Sequence, residues 1–280
     1  MGCRPAAAAR RHCQAVSTPL RGPDSLPQQL RIQVRVIGAL LLRELVTRFG
    51  RENLGYTWIF AEPLILGLAL GALHHISGHA LPGGLPVVVF WVTGYMPFYL
   101  LRGLLNRAPG AVTGNQSLLY HRRITLLDVL IARNLLEGAA VSGAMLIFLM
   151  GFGMALDFWP DSWGTLLLGM VILLAMTHGA ALILAALSIW TEMIDRVVHL
   201  FTYLSLPFTG SFFMVFWLPS EAQQAALLIP SVHCFEMVRH GLFGTAVPTH
   251  YDLTTMLTWV VGLNLSGMLL LRIARRDLMV

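Results

Sequence analysis

Residues 163–190 read WGTLLLGMVILLAMTHGAALILAALSIW, a stretch of 28 residues without a single Asp, Glu, Lys or Arg. A helix needs roughly 20 apolar residues to cross the hydrocarbon core of a bilayer, which is about 30 Å thick. We therefore predict a membrane-spanning helix over 163–190, long enough to tilt or to extend beyond the membrane.

Five other stretches have the length and apolar character of a membrane span. They are 57–76, 86–105, 136–156, 199–218 and 253–271. No long polar segment separates any two of them in the manner of an inserted soluble domain. The sequence therefore predicts an all-α membrane protein with six transmembrane helices, in which residues 30–280 form one domain.

The composition of the whole chain agrees with this fold class. Hydrophobic residues make up 56% of the 280 residues and charged residues only 12%, whereas soluble domains carry about 25% charged residues. So few charges leave too little polar surface to cover a water-soluble globule. The shortage is explained if much of the surface faces lipid.

Arginines are distributed unevenly among the segments that connect the spans. All 19 basic residues are Arg, and with six spans only Arg239 falls on the side opposite the other 18. Basic residues accumulate on the cytosolic side of membrane proteins. We therefore predict a multi-pass protein of a bacterial inner membrane with both termini in the cytosol.

Several function classes are excluded or disfavoured by residue types. Without Lys, the chain lacks the phosphate-binding Lys of a P-loop and is not a P-loop ATPase by itself. Cys3, Cys13 and Cys234 have neither metal-finger nor redox spacing. The net charge of +5 reflects the ends of spans, so we predict no nucleic-acid partner.

The N-terminal segment divides into two parts. Residues 1–29 are rich in Pro, Ala and Arg and lack the apolar core of a signal peptide, so we predict a disordered cytosolic tail. Residues 30–52 interleave Arg with aliphatic residues, which is typical of an amphipathic helix in the membrane interface. This helix either anchors the chain at the surface or docks a cytosolic partner.

No catalytic or metal site is predicted. His178 lies in the middle of a span, where a hydrogen bond between helices is the simpler interpretation than intramembrane catalysis. His74, His75 and His79 are expected to be interfacial. Glu62 lies in the first predicted span and requires a partner or water; it either reaches the interface or pairs with a group such as an Arg of the amphipathic helix.

Two connecting segments have helical patterns of their own. The cytosolic loop 106–133 contains a short amphipathic piece, which is either an interfacial helix or a coupling helix for an ATPase. The external connection 219–252 carries His233, Glu236 and Arg239 at intervals of three, so that they share a helix face and the opposite charges can pair. We predict a re-entrant or surface helical hairpin before the last span.

Three motifs in this sequence resemble those of ABC-2 type permeases for capsular polysaccharide export. The first, RELVTRFGRENLGYTWIFAEP at 43–63, is the most specific. The second begins at Asn115 and includes Tyr120, Arg122 and Glu137, like the cytosolic coupling region of that family. The third is Pro230-x-x-His233-x-x-Glu236-x-x-Arg239, preceded here by Ile229 where the family usually has Asn.

This resemblance implies a transport subunit and not an enzyme, with no cofactor of its own. ATP and Mg²⁺ belong to an ABC ATPase present in two copies. The other implied partners are a second copy of the chain, a periplasmic adaptor, an outer-membrane channel, membrane lipid and a lipid-linked polysaccharide substrate.

The resemblance also assigns candidate residues to three roles. The candidates for ATPase coupling are Arg43, Glu44, Arg48, Gly50, Asn115, Tyr120, Arg122 and Arg123. Since aromatic faces stack on sugar rings, the candidates for the translocation path are Tyr56, Trp58, Glu62, Tyr95, Phe98, Tyr99, Phe212, Phe213 and Trp217, although aromatic residues near span ends also form interfacial belts. The candidates for a periplasmic gate are His233, Glu236 and Arg239.

Two alternatives remain open from the sequence. The same fold can serve another cargo, such as O-antigen, teichoic acid or a small molecule. The chain can also be a membrane enzyme that acts on lipid-linked sugars, in which case it is active without an ATPase.

Overall fold

The computed structural model describes residues 26–49, 55–78, 81–82, 84–115 and 124–275. These residues form ten α-helices and no β-strand. The helices are α1 (Leu26–Phe49), α2 (Gly55–Ile76), α3 (Val87–Arg107), α4 (Gly110–Thr113), α5 (Leu126–Leu156), α6 (Trp163–Trp190), α7 (Met193–Leu204), α8 (Ser220–Ala226), α9 (Pro230–Phe243) and α10 (Leu253–Ala274).

The chain divides into two compact units, Met1–Arg35 and Val36–Val280. In the smaller unit the described residues are the first part of α1. Helix α1 begins at Leu26, so residues 26–29 are helical and not the end of a disordered tail as we predicted. Pro27 explains the early start, because proline is well tolerated in the first turn of a helix.

Four of the described helices are long and apolar enough to cross a membrane: α3, α5, α6 and α10. The apolar part of α2, Phe60–Ile76, is shorter. Helix α6 has the same bounds as the predicted span 163–190. The prediction of an all-α membrane protein is therefore confirmed.

Helix α5 begins ten residues before the predicted span 136–156. Its start is fixed by a capping box: the Thr125 hydroxyl accepts from the Asp128 amide, and the Asp128 carboxylate accepts from the Thr125 amide at 2.9 Å. Residues 126–133, which we predicted as part of a loop, are therefore the first turns of α5. With 31 residues, α5 is about 46 Å long.

The predicted fifth span, 199–218, does not form one helix. Helix α7 spans Met193–Leu204, and two short 3-10 turns follow at Leu206–Phe208 and Val215–Trp217. Pro207 lies in the first turn, and Gly210 adopts a φ of 91°, which favours glycine. The mean hydropathy of a 20-residue stretch does not detect single helix-breaking residues. The prediction of one continuous helix over 199–218 was wrong for this reason.

The main core lies between α3, α5, α6 and α9. Its fully buried side chains include Phe90 and Met96 of α3, Leu149 of α5, Leu173 of α6 and Phe235 of α9. A second cluster, rich in alanine, joins the residue after α3, helix α4, the start of α5, the C-terminal half of α6 and the last turn of α10. Large apolar side chains on α2, α5 and α10 are exposed, as expected for surfaces that face lipid.

The two ends of α6 serve as reference points for the bundle. At the Trp163 end, the Ser162 amide donates to the Gly241 carbonyl at 2.8 Å, which fixes the C-terminal end of α9 there. The second cluster lies at the Trp190 end, because it contains Ala185 and Ala186. The segment from 193 to 241 therefore runs from the Trp190 end to the Trp163 end.

Glycines bring α6 and α10 into backbone contact. A Cβ at Gly179 would lie 2.7 Å from the Asn264 amide nitrogen, and one at Gly267 would lie 2.6 Å from the Leu182 Cβ. A Cβ at Gly262, also in α10, would meet nothing within 4 Å. Close approach through small residues is a common way to pack membrane helices.

We expect Gly179→Ala to lower the free energy of unfolding by about 1–3 kcal/mol, since overpacking forces a backbone shift. Unfolding of the purified chain in detergent, followed by tryptophan fluorescence, measures this change. Gly262→Ala is the matched control and should keep the stability of the wild type or raise it by up to about 1 kcal/mol, because alanine favours a helix interior. Equal stability of the two variants would contradict the close contact of α6 and α10.

Candidate functional site

Three polar side chains on α9 form what we call the α9 anchor: His233, Glu236 and Arg239. The helix begins at Pro230, and nearly all its residues are buried. The relative exposure of the three side chains is 5%, 1% and 1%, respectively. These residues are therefore buried, and each must find hydrogen-bond partners inside the protein.

His233 joins the two segments that flank α9. Its Nδ1 accepts a hydrogen bond from the Asp252 amide at 3.1 Å, and its Nε2 lies 2.9 Å from the Leu227 carbonyl oxygen. Because an amide only donates, Nδ1 carries no proton, and Nε2 donates to the carbonyl. His233 is therefore a neutral imidazole that holds the entry and exit of the α9 segment together.

Glu236 binds two backbone amides that are far apart in sequence. Its Oε1 accepts from Val215 at 3.0 Å, and its Oε2 accepts from His250 at 2.8 Å. Hydrogen bonds accepted by a carboxylate are stronger than those between neutral groups. The side chain connects the 3-10 turn at Val215–Trp217 to the segment that precedes α10.

Arg239 binds the segment between α7 and α8. Its guanidinium donates to the Phe213 carbonyl and, at 2.5 Å, to the Ser211 carbonyl. The same guanidinium lies 4.3 Å from the centre of the Phe90 ring of α3. Arg239 and Glu236 thus bind main-chain groups of different segments and do not pair with each other, which differs from our prediction.

Gly94 of α3 completes the contact with the segment held by Arg239. A Cβ at this position would collide with the Ser211 carbonyl oxygen and lie 3.3 Å from an Arg239 nitrogen. The glycine therefore lets residues 211–213 pass directly against α3. The α9 anchor fixes the backbone that carries Phe212 and Phe213, two of the predicted path residues.

Asp252 caps α10 beside the α9 anchor. Its carboxylate accepts from the Thr255 hydroxyl and amide, at 2.5 and 2.8 Å, and from the Thr254 amide at 3.2 Å. These hydrogen bonds, led by that of the Thr255 hydroxyl, hold the pKa of the Asp252 carboxyl below its ordinary value. The start of α10 is thus fixed by the residue that also donates to His233.

The predicted path aromatics lie in two groups. Tyr95, Phe98 and Tyr99 adjoin one another on α3, with ring centres of Tyr95 6.3 Å from each of the other two. In the second group, Trp217 packs 5.0 Å from Phe90, and Phe212 packs 4.9 Å from Trp91.

The remaining path candidates differ in their surroundings. Trp58 is exposed, and the side chain of Tyr56 lies outside the described residues. Glu62 interacts with the Tyr99 hydroxyl. The sequence left two alternatives open for Glu62, the interface or a partner such as an Arg; its neighbour in the structure is a tyrosine of α3.

A second polar cluster lies at the Trp190 end. An Arg43 nitrogen donates to the Asn115 side-chain oxygen at 3.0 Å, and the Glu44 carboxylate lies 3.1 Å from Arg133 Nε in an ion pair. Asn115 in turn donates to the Ala111 carbonyl. Neighbouring residues of α1 thus contact Asn115, which precedes the segment 116–123, and Arg133 of α5, which follows it; the segment itself lies outside the described residues.

The other predicted coupling residues are not described. Gly50, Tyr120, Arg122 and Arg123 and the side chain of Arg48 fall outside the described residues, so their roles stay predictions. Arg107, which the sequence did not single out as a coupling residue, forms an ion pair with Glu137. A basic residue at the end of a span was interpreted only as a topology signal.

His178 has the structural role that we predicted. Its Nδ1 lies 2.7 Å from the Asn134 amide nitrogen, so the pair joins α6 to α5. Because the Asn134 nitrogen donates, Nδ1 is the acceptor. The prediction of a hydrogen bond between helices is confirmed.

Comparison with known proteins identifies relatives that match most of the chain. It is 34% identical over 248 residues to the capsule polysaccharide export inner-membrane protein BexB of Haemophilus influenzae, covering 88% of this chain and 93% of BexB. It is 36% identical over 229 residues to the corresponding protein CtrC of Neisseria meningitidis serogroup A, covering 81% and 86%. The chain belongs to the family of capsule polysaccharide export inner-membrane proteins.

A third relative is similar over most of the chain at a lower identity. The polysialic acid transport protein KpsM of Escherichia coli is 27% identical over 241 residues, covering 84% of this chain and 93% of KpsM. No family model matches the chain. Its membership of the capsule-export family nevertheless confirms the resemblance that the three motifs predict.

Structural neighbours of the predicted path in this capsule-export protein include residues that sequence reasoning missed. Trp91 stacks on His74 with ring centres 3.6 Å apart and also contacts Phe212. Arg102 lies 5.0 Å from the centre of the Tyr203 ring. Their helical spacing could have identified these residues in the sequence, because Trp91, Tyr95 and Arg102 of α3 recur at intervals of four and seven.

Proposed function

We propose that this chain is the membrane-spanning permease subunit of an ATP-driven exporter that moves lipid-linked capsular polysaccharide out of the cytosol across the inner membrane. The similarity to BexB over 88% of the chain carries the proposal. The fold supports it, because α3, α5, α6 and α10 have the length and apolar character of membrane spans. The absence of Lys assigns ATP hydrolysis to a separate subunit.

The route of the chain supports a topology of six crossings. Helix α7 has 12 residues and a length of about 18 Å, which is too short for a span. The segment from 193 to 241 nevertheless runs from one end of α6 to the other, so α7 and the irregular chain after it make the fifth crossing together. With α2 as the first crossing, both termini lie in the cytosol, and α8 and α9 form a re-entrant hairpin.

The proposed assembly contains two copies of this chain and two of an ABC ATPase, which binds ATP and Mg²⁺. A periplasmic adaptor and an outer-membrane channel complete the route of the polysaccharide. This arrangement rests on the family resemblance.

In the proposed mechanism, closure of the ATPase dimer pushes on α1 and on the segment 116–123. Arg43 and Glu44 transmit the push, since they bind Asn115 and Arg133 of the permease core. The first and fifth crossings then separate across the dimer axis. The α9 anchor keeps residues 211–215 in place at the exit during this movement.

Deletion of the gene should leave capsular polysaccharide inside the cell. We expect normal synthesis, loss of surface polysaccharide and its accumulation at the inner membrane, measured by immunolabelling of intact and permeabilised cells. A plasmid carrying the wild-type gene should restore the surface signal. Loss of synthesis itself would contradict the proposal and favour an enzyme of lipid-linked sugars, and an unchanged surface capsule would also contradict it.

A further inference from the structure

A polar stripe runs along one face of the otherwise apolar helix α3. It consists of Tyr95, Tyr99, Arg102 and Asn106, which recur at intervals of four, three and four residues and so lie above one another on a helix. Tyr99 is buried and the other three are half-buried. Polar residues that share a face within a membrane span indicate a functional surface.

Helix α7 lies along this polar stripe. The Thr202 hydroxyl donates to the Asn106 side-chain oxygen at 2.9 Å. The neighbouring Tyr203 has 59% of its surface exposed, and its ring centre lies 5.0 Å from the Arg102 guanidinium carbon. The stripe therefore extends across two helices and ends beside an accessible hydroxyl group.

Arg102 differs from Arg43, Arg107 and Arg133, which lie at the same end of the bundle. Arg107 and Arg133 bind carboxylates, and Arg43 binds an amide oxygen. Within the part of the chain that the structure describes, Arg102 forms no ion pair, and its guanidinium lies beside the Tyr99 and Tyr203 rings. A charge inside a span is costly, so the free donors of this guanidinium suit an anionic ligand.

The depth of Arg102 indicates where such an anion lies. Arg102 lies five positions before the end of α3 at Arg107, which places it about 7–8 Å from that end along the helix axis. The headgroup regions of a bilayer extend about 5–8 Å beyond the hydrocarbon core on each side. A long Arg side chain reaches this region readily, and lipid phosphates lie there.

The surroundings of the polar stripe are apolar, which favours a lipid over a free anion. Leu200, Phe201 and Leu204 of α7 expose 62–64% of their surfaces close to Tyr203. Such a surface can pack against acyl chains, while guanidinium, amide and hydroxyl donors bind a phosphate. Both parts of a phospholipid-like ligand thus have a complementary surface.

We infer that Arg102, Asn106 and Tyr203 form a binding site for the phosphate group of a lipid, held between α3 and α7. The lipid that the site serves is the anchor of the exported polysaccharide, and this part of the inference rests on the proposed function. The phosphate then sits at the start of the path, and Tyr95 and Tyr99 follow it deeper into the membrane. Through this site the permease binds its substrate by the lipid phosphate, independently of the sugar sequence.

Lipid binding by the purified chain tests the site without any transport. Native mass spectrometry in detergent compares retention of dioleoylphosphatidylglycerol with that of dioleoylglycerol, which lacks the phosphate. We expect Arg102→Gln to reduce retention of the phospholipid about tenfold, as for loss of a charge-assisted hydrogen bond. Arg102→Lys, which keeps the charge, should retain an intermediate amount.

Arg196→Gln is the matched control, because Arg196 is an exposed residue of α7, and it should bind the phospholipid as the wild type does. Equal retention by wild type and Arg102→Gln, or equal retention of both lipids by the wild type, would overturn the site. Displacement by inorganic phosphate alone, with no need for acyl chains, would also contradict a lipid ligand.

Lipids extracted with the chain from cells show whether the site binds the glycolipid anchor or bulk phospholipid. Lipids that copurify with the chain from capsule-producing cells should include the glycolipid anchor, and the Arg102→Gln variant should lose it while still copurifying with the ATPase. Copurification of bulk phospholipid only would overturn the assignment to the anchor. If the proposed function were wrong, the deletion strain would reveal it, whereas phosphate-dependent lipid binding would remain.

Discussion

Arg239→Met is expected to lower the free energy of unfolding by about 3 kcal/mol, because each buried carbonyl left without a donor costs about 1–3 kcal/mol. Two such carbonyls, those of Ser211 and Phe213, depend on the guanidinium. Methionine fills a similar volume, so the change removes hydrogen bonds more than packing. Denaturant unfolding of the purified chain in detergent measures the loss.

The same substitution should release the segment that carries Phe212 and Phe213, and surface capsule should fall with it. Arg239→Lys should be intermediate, since one ammonium group replaces a planar fork that reaches both carbonyls. Arg196→Met is the control, because that side chain is exposed. Wild-type stability of Arg239→Met would refute the role of the α9 anchor.

Reversing the Glu44–Arg133 ion pair is expected to abolish export in either single variant and to restore it in the double variant. Both side chains are largely buried, with 15% and 18% of their surfaces exposed. At an effective dielectric constant of about 20, two like charges about 3 Å apart repel by about 5 kcal/mol. Glu44→Arg or Arg133→Glu should therefore detach this part of α1 from the start of α5.

The measurement is surface polysaccharide in the deletion strain that carries each variant, together with the amount of chain in the membrane. We expect Glu44→Arg plus Arg133→Glu to recover most of the export that each single change removes. Normal export by both single variants would show that export does not depend on the ion pair. A double variant no better than the single ones would show that the residues act through other partners.

The membrane class and the long spans could be predicted because they depend on local composition. Residues 163–190 have no charge to interrupt them, and α6 has those bounds. Residues 199–218 have a similar apolar mean, yet Pro207 and Gly210 end the helix. Helix breaks depend on single residues and on the contacts that accept the freed backbone groups, which a mean over 20 residues does not include.

The α9 anchor was predicted only in part. The spacing of His233, Glu236 and Arg239 places them on one helix face, but their partners are backbone groups between residues 211 and 252. Only the tertiary fold brings these groups to α9. The pairing of Glu236 with Arg239 was predicted because sequence spacing reveals neighbours along a helix and not those across it.

Arg102 was missed for a related reason. Within the sequence it is one of many arginines near a span end, and its neighbour Tyr203 lies about a hundred residues away. The sequence does show the stripe of Tyr95, Tyr99, Arg102 and Asn106 at helical spacing. What it does not show is that α7 lies beside this stripe with apolar side chains exposed.

Purification of the tagged chain from its own membranes in mild detergent, with mass spectrometry of all retained proteins, tests whether this chain is the permease of an ATP-driven exporter. We expect recovery of an ABC ATPase in a near-equal amount, because the chain has no P-loop Lys of its own. Recovery of the chain without any ATPase in several detergents, together with activity of the chain alone on a lipid-linked sugar, would show that it is an enzyme and not such a permease.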